Sequence, residues 1–96
     1  MRTILWTSVA RFDLRRLRAW TERYSPANAA AQSRRILFAV EALLDNPRMG
    51  YPIAVPDGGE EELRELLLRP YVIRYTVDAE RIVIIRLWHG REARES

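Results

Sequence analysis

His89 is the only histidine in a chain of 96 residues, and it stands in the run Trp88-His89-Gly90-Arg91. An imidazole that titrates near about pH 6.5 can act as a general acid or base. The plainer alternative is a histidine exposed at a strand end. The basic residues are the second chemical feature. All sixteen are Arg and Lys does not occur, which excludes a Schiff base, a lysine general base and a P-loop lysine. Arg74, Arg86, Arg91 and Arg94 fall on or beyond the last two strand-like segments. If Arg74 and Arg86 share the sheet face away from the helices, they and the tail arginines form a cationic patch. Guanidinium groups grip phosphates and carboxylates bidentately, so such a patch suits nucleic acid or an acidic protein segment. The alternative is a solvated face balanced by Asp78, Glu80, Glu92 and Glu95. Arg11, Arg15 and Arg18 read as a solvated helix stripe.

Other chemistries lack their parts. Cys is absent, which removes thiol nucleophiles, zinc ribbons, Fe–S clusters and disulfides. With one His, no metal site is expected, and no cofactor is expected either. The four serines lack a G-x-S-x-G context, and neither G-x-G-x-x-G nor G-x-x-x-x-G-K-[ST] occurs.

The elements that must position these residues follow from periodicity. Residues 3–7 (TILWT) are β-branched and aromatic, and read as a strand. Thr7 or Ser8 can cap a helix running to about Tyr24, with Ala10, Leu14, Leu17, Trp20 and Tyr24 on one apolar face. Ser25-Pro26 starts a second helix to about Asp45, with Ala29, Ile36, Val40, Leu43 and Leu44 inward, and Asn46-Pro47 stops it. The two form an antiparallel hairpin. Residues 46–60 hold three Pro and three Gly and read as a loop. Residues 60–69 (EEELRELLLR) have helical leucine spacing, and propensity alone predicts a helix there. Residues 71–77 alternate as a half-buried strand, Asp78-Ala79-Glu80 turns, and 81–88 (RIVIIRLW) is a strand apolar on both faces, hence central. These elements make an α+β domain with helices on one sheet face.

Length permits one domain, residues 1–96, with a modest core. The formal charge of +3 conceals a pattern. Residues 1–24 carry six Arg against two acids, whereas residues 57–65 carry one Arg against five acids. Two basic regions therefore flank an acidic turn. The longest apolar run, residues 36–40, falls far short of the ~20 residues of a membrane span. No signal-peptide pattern opens the chain, so a cytoplasmic protein without membrane contact is expected. Three Trp, four Tyr and two Phe exceed what a small two-layer core absorbs. Phe12 and Trp20 diverge around the first helix, so some apolar surface is left for a partner or for packing on the loop.

The order of motifs resembles the ParE/RelE toxin superfamily. Its carriers are the short strand, Asp13-Leu14, Ser25-Pro26, the Ala-rich helix and Leu44-Asp45-Asn46-Pro47-Arg48-Met49-Gly50. Arg69-Pro70-Tyr71-Val72-Ile73-Arg74-Tyr75 and Trp88-His89-Gly90-Arg91-Glu92 resemble the ParE branch. The resemblance implies a β-α-α-β-β-β fold whose three-strand meander begins with a strand over residues 62–69, against the propensity reading. It implies a toxin of a toxin–antitoxin module, associated with plasmid stabilisation and growth inhibition, held by a cognate antitoxin through a C-terminal helix or extended segment. In the ParE branch the target is DNA gyrase, inhibited by binding, with DNA reached only through antitoxin or gyrase. Arg86, Trp88, His89, Arg91 and Arg94 are the expected target contacts, and Trp20, Tyr24, Phe38 and Met49 the expected antitoxin lining. Two alternatives stand beside this: a RelE-like mRNA endoribonuclease using His89, Arg91 and Arg74, and a decayed, non-toxic antitoxin-binding module. RNA-cutting relatives carry an Arg where Val72 stands and a Tyr beyond the last strand, and no Tyr follows Tyr75.

Overall fold

Thr7 and Ser25 start the helices in the way their hydroxyls allow, each accepting a hydrogen bond from the N–H three residues on. The computed structural model describes residues 1–55, 57, 58 and 60–92. In chain order the elements are β1 (Thr3–Trp6), α1 (Ser8–Glu22), α2 (Pro26–Ala42), β2 (Tyr51–Ala54), β3 (Glu62–Leu68), β4 (Tyr71–Val77) and β5 (Arg81–His89). They build one sheet in the order β1-β5-β4-β3-β2. β1 runs parallel to β5, and every other neighbouring pair is antiparallel. The Thr7 hydroxyl also donates to Ile85 O at 3.1 Å, so the cap of α1 ties the helix to the inner strand β5.

Both helices lie on one sheet face, as expected of the α+β class. Ala10, Leu17, Ile36, Val40 and Leu43 pack against Ile73, Tyr75, Val77, Ile82, Ile84 and Leu87. Each of these is nearly or fully removed from water, which supplies the main drive for folding.

Residues 60–69 do not form the helix that propensity predicts. Residues 62–68 are strand β3, in unbroken register with β4 from Glu62↔Val77 to Leu68↔Tyr71. Pairing with β4 puts Leu66 in the core and buries Glu62 and Glu65 beside arginines, and this tertiary gain overrides local preference. The loop expected over 46–60 also contains a strand, β2. The Gly50 N–H donates to Tyr75 Oη at 3.0 Å, Tyr75 Oη donates to Pro47 O at 2.8 Å, and Arg64 donates to Gly50 O at 2.6 Å. These bonds dock the loop on the sheet and deliver residues 51–54 to its edge. An edge is where Pro52 is tolerated, because its missing N–H leaves no inner ladder broken. At Gly50 a Cβ would lie 2.6 Å from Glu65 O, so the close approach requires glycine.

Two helical expectations are corrected. Leu44 lies beyond the end of α2 and is exposed, since the helix closes at Ala42 with Leu43 as its cap. Trp20 and Tyr24 continue the apolar face of α1 past the core and are 43% and 74% exposed. β5 carries a bulge: Tyr75 faces Ile84, but Arg74 faces Arg86. The extra residue lets Ile84 and Leu87 both enter the core and sends Trp88 to the opposite face.

Candidate functional site

The end of β5 is set by a buried acid on α1. Asp13 is 1% exposed and accepts from Leu87 N–H at 2.9 Å, Arg86 Nε at 2.8 Å and Arg16 at 3.2 Å. Burial pushes its carboxyl up, but the hydrogen bonds from Arg86, the Leu87 N–H and Arg16 outweigh it and hold the pKa below the ordinary value. Asp13 in turn raises that of Arg86. Arg16 reaches on to Glu92, whose other oxygen accepts the His89 N–H at 2.6 Å. One network thus fixes both the bulge and the residues that follow the strand.

At that strand end, His89 sits in a row of aromatic rings. Its ring meets Tyr71 edge-on at 5.6 Å and Trp20 at 5.4 Å, and Trp20 meets Tyr24 at 5.4 Å. His89 Nδ1 accepts the Arg91 N–H at 3.1 Å, which assigns any proton of the neutral ring to Nε2. The Gly90 N–H donates to Pro70 O at 2.7 Å, drawing the β3–β4 turn against this end. Between them opens a cleft of about 350 Å³, lined by Arg69, Pro70, Val72, His89, Gly90 and Arg91 among others. The carbonyl of Arg69 accepts from Arg35 of α2 at 2.6 Å, so the turn is held from both sides. Among the described residues, neither Arg69 nor Arg91 makes an ion pair through its side chain, and both are exposed. They are the guanidiniums that the cleft offers to an anionic group.

The opposite sheet face holds a second charged cluster. Glu65 is 3% exposed and accepts from Arg74 at 2.8 and 2.5 Å and from Tyr51 Oη at 2.7 Å. The Arg74 guanidinium lies 5.1 Å over the Trp88 ring. At the sheet edge, Arg48 and then Arg64 hold the Glu62 carboxyl below its usual range.

The expected sites therefore divide. Arg74 and Arg86 face each other in register, yet they form no shared patch: Arg74 turns to Glu65 and Arg86 to Asp13. Trp88, expected at the target surface, is only 6% exposed and sits beneath Arg74, so it supports that side chain instead of presenting its own surface. His89 and Arg91 do come together, and Arg69 joins them. Arg94 lies outside the described residues. Trp20 packs on His89 and Tyr24 on Trp20, whereas Phe38 stands on α2 in a different cleft with Arg34, Leu37 and Glu41, and Met49 is exposed in the loop before β2. Sequence reasoning missed Arg69, Glu65 and Tyr51. The signal for Arg69 was its place before Pro70 at a tight turn. Glu65 was hidden because its acidic run reads as a helix start. Among the described residues, no group of three or more His, Asp or Glu side chains is placed to hold a metal ion. No helix of the described residues is long and apolar enough to cross a membrane.

Comparison with known proteins matches residues 4–94 to the family model of the ParE toxin of the type II toxin–antitoxin system parDE. Toxin RelE2 of Caulobacter vibrioides is 32% identical over 91 residues, covering 94% of this chain and 97% of its own. The chromosomal ParDE toxin–antitoxin system of P. aeruginosa superposes with a TM-score of 0.75 at 26% identity, covering 93% of this chain and 96% of that one. The archaeal RelE–RelB complex of Pyrococcus horikoshii shares the fold, with a TM-score of 0.68 at 21% identity over 96% of this chain and 98% of that one.

Proposed function

This chain belongs to the ParE toxin family of type II toxin–antitoxin systems, and from that premise we propose that it inhibits DNA gyrase by binding it. The observation that carries this reading is the chemistry of the cleft between the β3–β4 turn and the end of β5. Cutting RNA takes a base, an acid and a clamp for the scissile phosphate. Here Val72 lines the cleft, and Arg74 is already held by the buried Glu65 on the far face. What the cleft offers is recognition: Arg69 and Arg91 are exposed cations beside a ring stack that is rigid at His89. Two guanidiniums at a rigid edge suit a carboxylate or phosphate surface of a large partner. Arg86, half-exposed beside Asp13, adds charge near the same strand end, and Arg94 is a further expected contact beyond the described residues.

The solved relatives are toxin–antitoxin systems, which supports a cognate antitoxin that keeps this chain inactive in the cytoplasm. Its helical or extended segment seats on Trp20 and Tyr24, whose exposed rings continue the apolar face of α1 beside the target cleft. An antitoxin there covers His89 from the helix side, so binding and inhibition compete. DNA is reached only through the antitoxin or through gyrase.

Purified gyrase tests this reading directly. Added toxin should block supercoiling and accumulate cleaved DNA, and supercoiling untouched by a large excess would refute it. The 32% identity to a toxin named RelE2 favours the second reading, mRNA cleavage with His89 and Arg91 at the phosphate. New 5′ ends on translated mRNA, seen by primer extension in arrested cells, would select that one. Normal growth on expression without the antitoxin would select a decayed module.

A further inference from the structure

The outer face of α2 carries a pattern that neither the core nor the proposed target cleft uses. Phe38 is 78% exposed, and Leu37 beside it is also exposed. Arg34 lies one turn before this pair, and Glu41 one turn after it. Asp45 extends the acidic end, and all three charges line the same cleft as Phe38. Among the described residues, none of these three charged side chains makes an ion pair or hydrogen bond within the chain, although Arg35 next to them does. Leu44, just past the helix, is exposed as well.

We infer that this face is the self-association surface of the toxin, pairing α2 antiparallel with α2 of a second copy. The sequence of the stripe is complementary to its own reversal. With a two-fold axis between positions 37 and 38, Arg34 of each copy meets Glu41 of the other, Leu37 meets Phe38, and the small Ala31 meets Leu44. Ala30 then stands opposite Asp45, leaving room for that carboxylate to remain in water. A parallel pairing in the same register would put Arg34 on Arg34 and Glu41 on Glu41, which like-charge repulsion disfavours. The antiparallel arrangement is closed, so it stops at two copies. The exposed ring and leucines leave water in the dimer, and the charge pairs fix direction more than they add affinity. One helix face per copy is a small interface, and association is accordingly weak and concentration-dependent. The antitoxin seat at Trp20 and Tyr24 belongs to α1 and its C-terminal turn, so the two surfaces are separate.

Sedimentation velocity on the full-length chain, over about 1–200 µM to cover the range of a small interface, reads this out. The unmodified chain should pass from monomer to dimer. Arg34→Glu and Glu41→Arg each put two like-charge pairs into the dimer and should weaken it about tenfold. Mixing the two variants restores complementarity at both pairs, so the mixture should form a heterodimer at the original strength. Both positions are solvent-exposed, and circular dichroism of each variant should match the parent. A chain that stays monomeric throughout would overturn the inference. So would a dimer indifferent to the two substitutions, or a mixture that fails to recover. Loss of antitoxin binding in both variants, with self-association unchanged, would give this face to the antitoxin instead.

Discussion

Replacing Asp13 tests how the His89 end of β5 is held. In Asp13→Ala the Leu87 N–H, buried with its residue fully out of water, loses its acceptor at 2.9 Å. An orphaned buried donor costs about 1–3 kcal/mol. Arg86 and Arg16 lose their partner too, but their side chains are 48% and 32% exposed and rehydrate, so their share is about 1 kcal/mol at most. The expected loss is therefore about 1–4 kcal/mol, which in a domain of this size moves the thermal midpoint by about 4–8 °C per kcal/mol. Asp13→Asn keeps an oxygen for the Leu87 N–H and loses only the charge, so it should cost about half as much. Urea unfolding monitored by tryptophan fluorescence measures both.

The carboxyl adds a pH signature. Its folded pKa lies below the unfolded value, because hydrogen bonds from Arg86, the Leu87 N–H and Arg16 overcome the upward push of burial. A depressed acid stabilises fully above its unfolded pKa of about 3.9 and loses that contribution as pH falls through the folded value. The stability gap between the parent and Asp13→Asn should be constant near neutrality and narrow below about pH 4. Equal losses for Asn and Ala, or an Ala variant costing under about 1 kcal/mol, would refute the placement of the Leu87 N–H as the principal partner.

Three further outcomes are expected. Arg91→Glu reverses an exposed cation at the cleft, and gyrase inhibition should weaken about tenfold or more with unchanged thermal stability; equal potency in a supercoiling assay would remove Arg91 from the contact. Trp20→Ala deletes a ring packed on both Tyr24 and His89. An aromatic anchor that a bound antitoxin covers contributes about 2 kcal/mol or more, so antitoxin affinity by calorimetry should fall by about thirtyfold. Gly50→Ala forces a Cβ to within 2.6 Å of Glu65 O and 2.9 Å of the Tyr75 ring, and should cost about 1–3 kcal/mol in denaturant unfolding through the shifts it imposes.

Where local chemistry and tertiary packing agree, the fold was legible. Thr7, Ser25 and Pro26 mark helix starts whose capping bonds need only neighbours in sequence, and the alternation of Tyr71, Ile73, Tyr75 and Val77 marks a strand buried on one side. Residues 62–68 were legible only through resemblance, because ELRELLL carries helix-favouring residues and its strand state depends on partners in β4 and on Arg48, Arg64 and Arg74. β2 was hidden for a similar reason, since the bonds from Gly50 and Tyr75 that dock it span 25 and 28 positions. At the candidate site, residue types pointed to His89 and Arg91, but charge counting could not tell a free arginine from a committed one. Arg74 finds a buried acid on the neighbouring strand and Arg86 one 73 positions away on α1, and only the folded chain reveals either. The bulge in β5 had the same effect on Trp88, since one extra residue reverses every side chain after it.

The parallel pairing of β1 with β5 also bears on how the toxin comes into being on the ribosome. Thr3 pairs with Arg81 and Trp6 with Ile84, so the first strand made must wait for the last before it has a neighbour. Asp13 likewise waits for Arg86 and Leu87. Contacts of such long sequence separation form slowly, because the intervening chain must close as a loop before they repay it. A nascent or truncated chain ending before β5 therefore lacks the platform for β1, the acid-held strand end and the cleft itself. On the proposed reading, the target cleft forms only once β5 has been made, so an antitoxin already present would meet the toxin as it first folds.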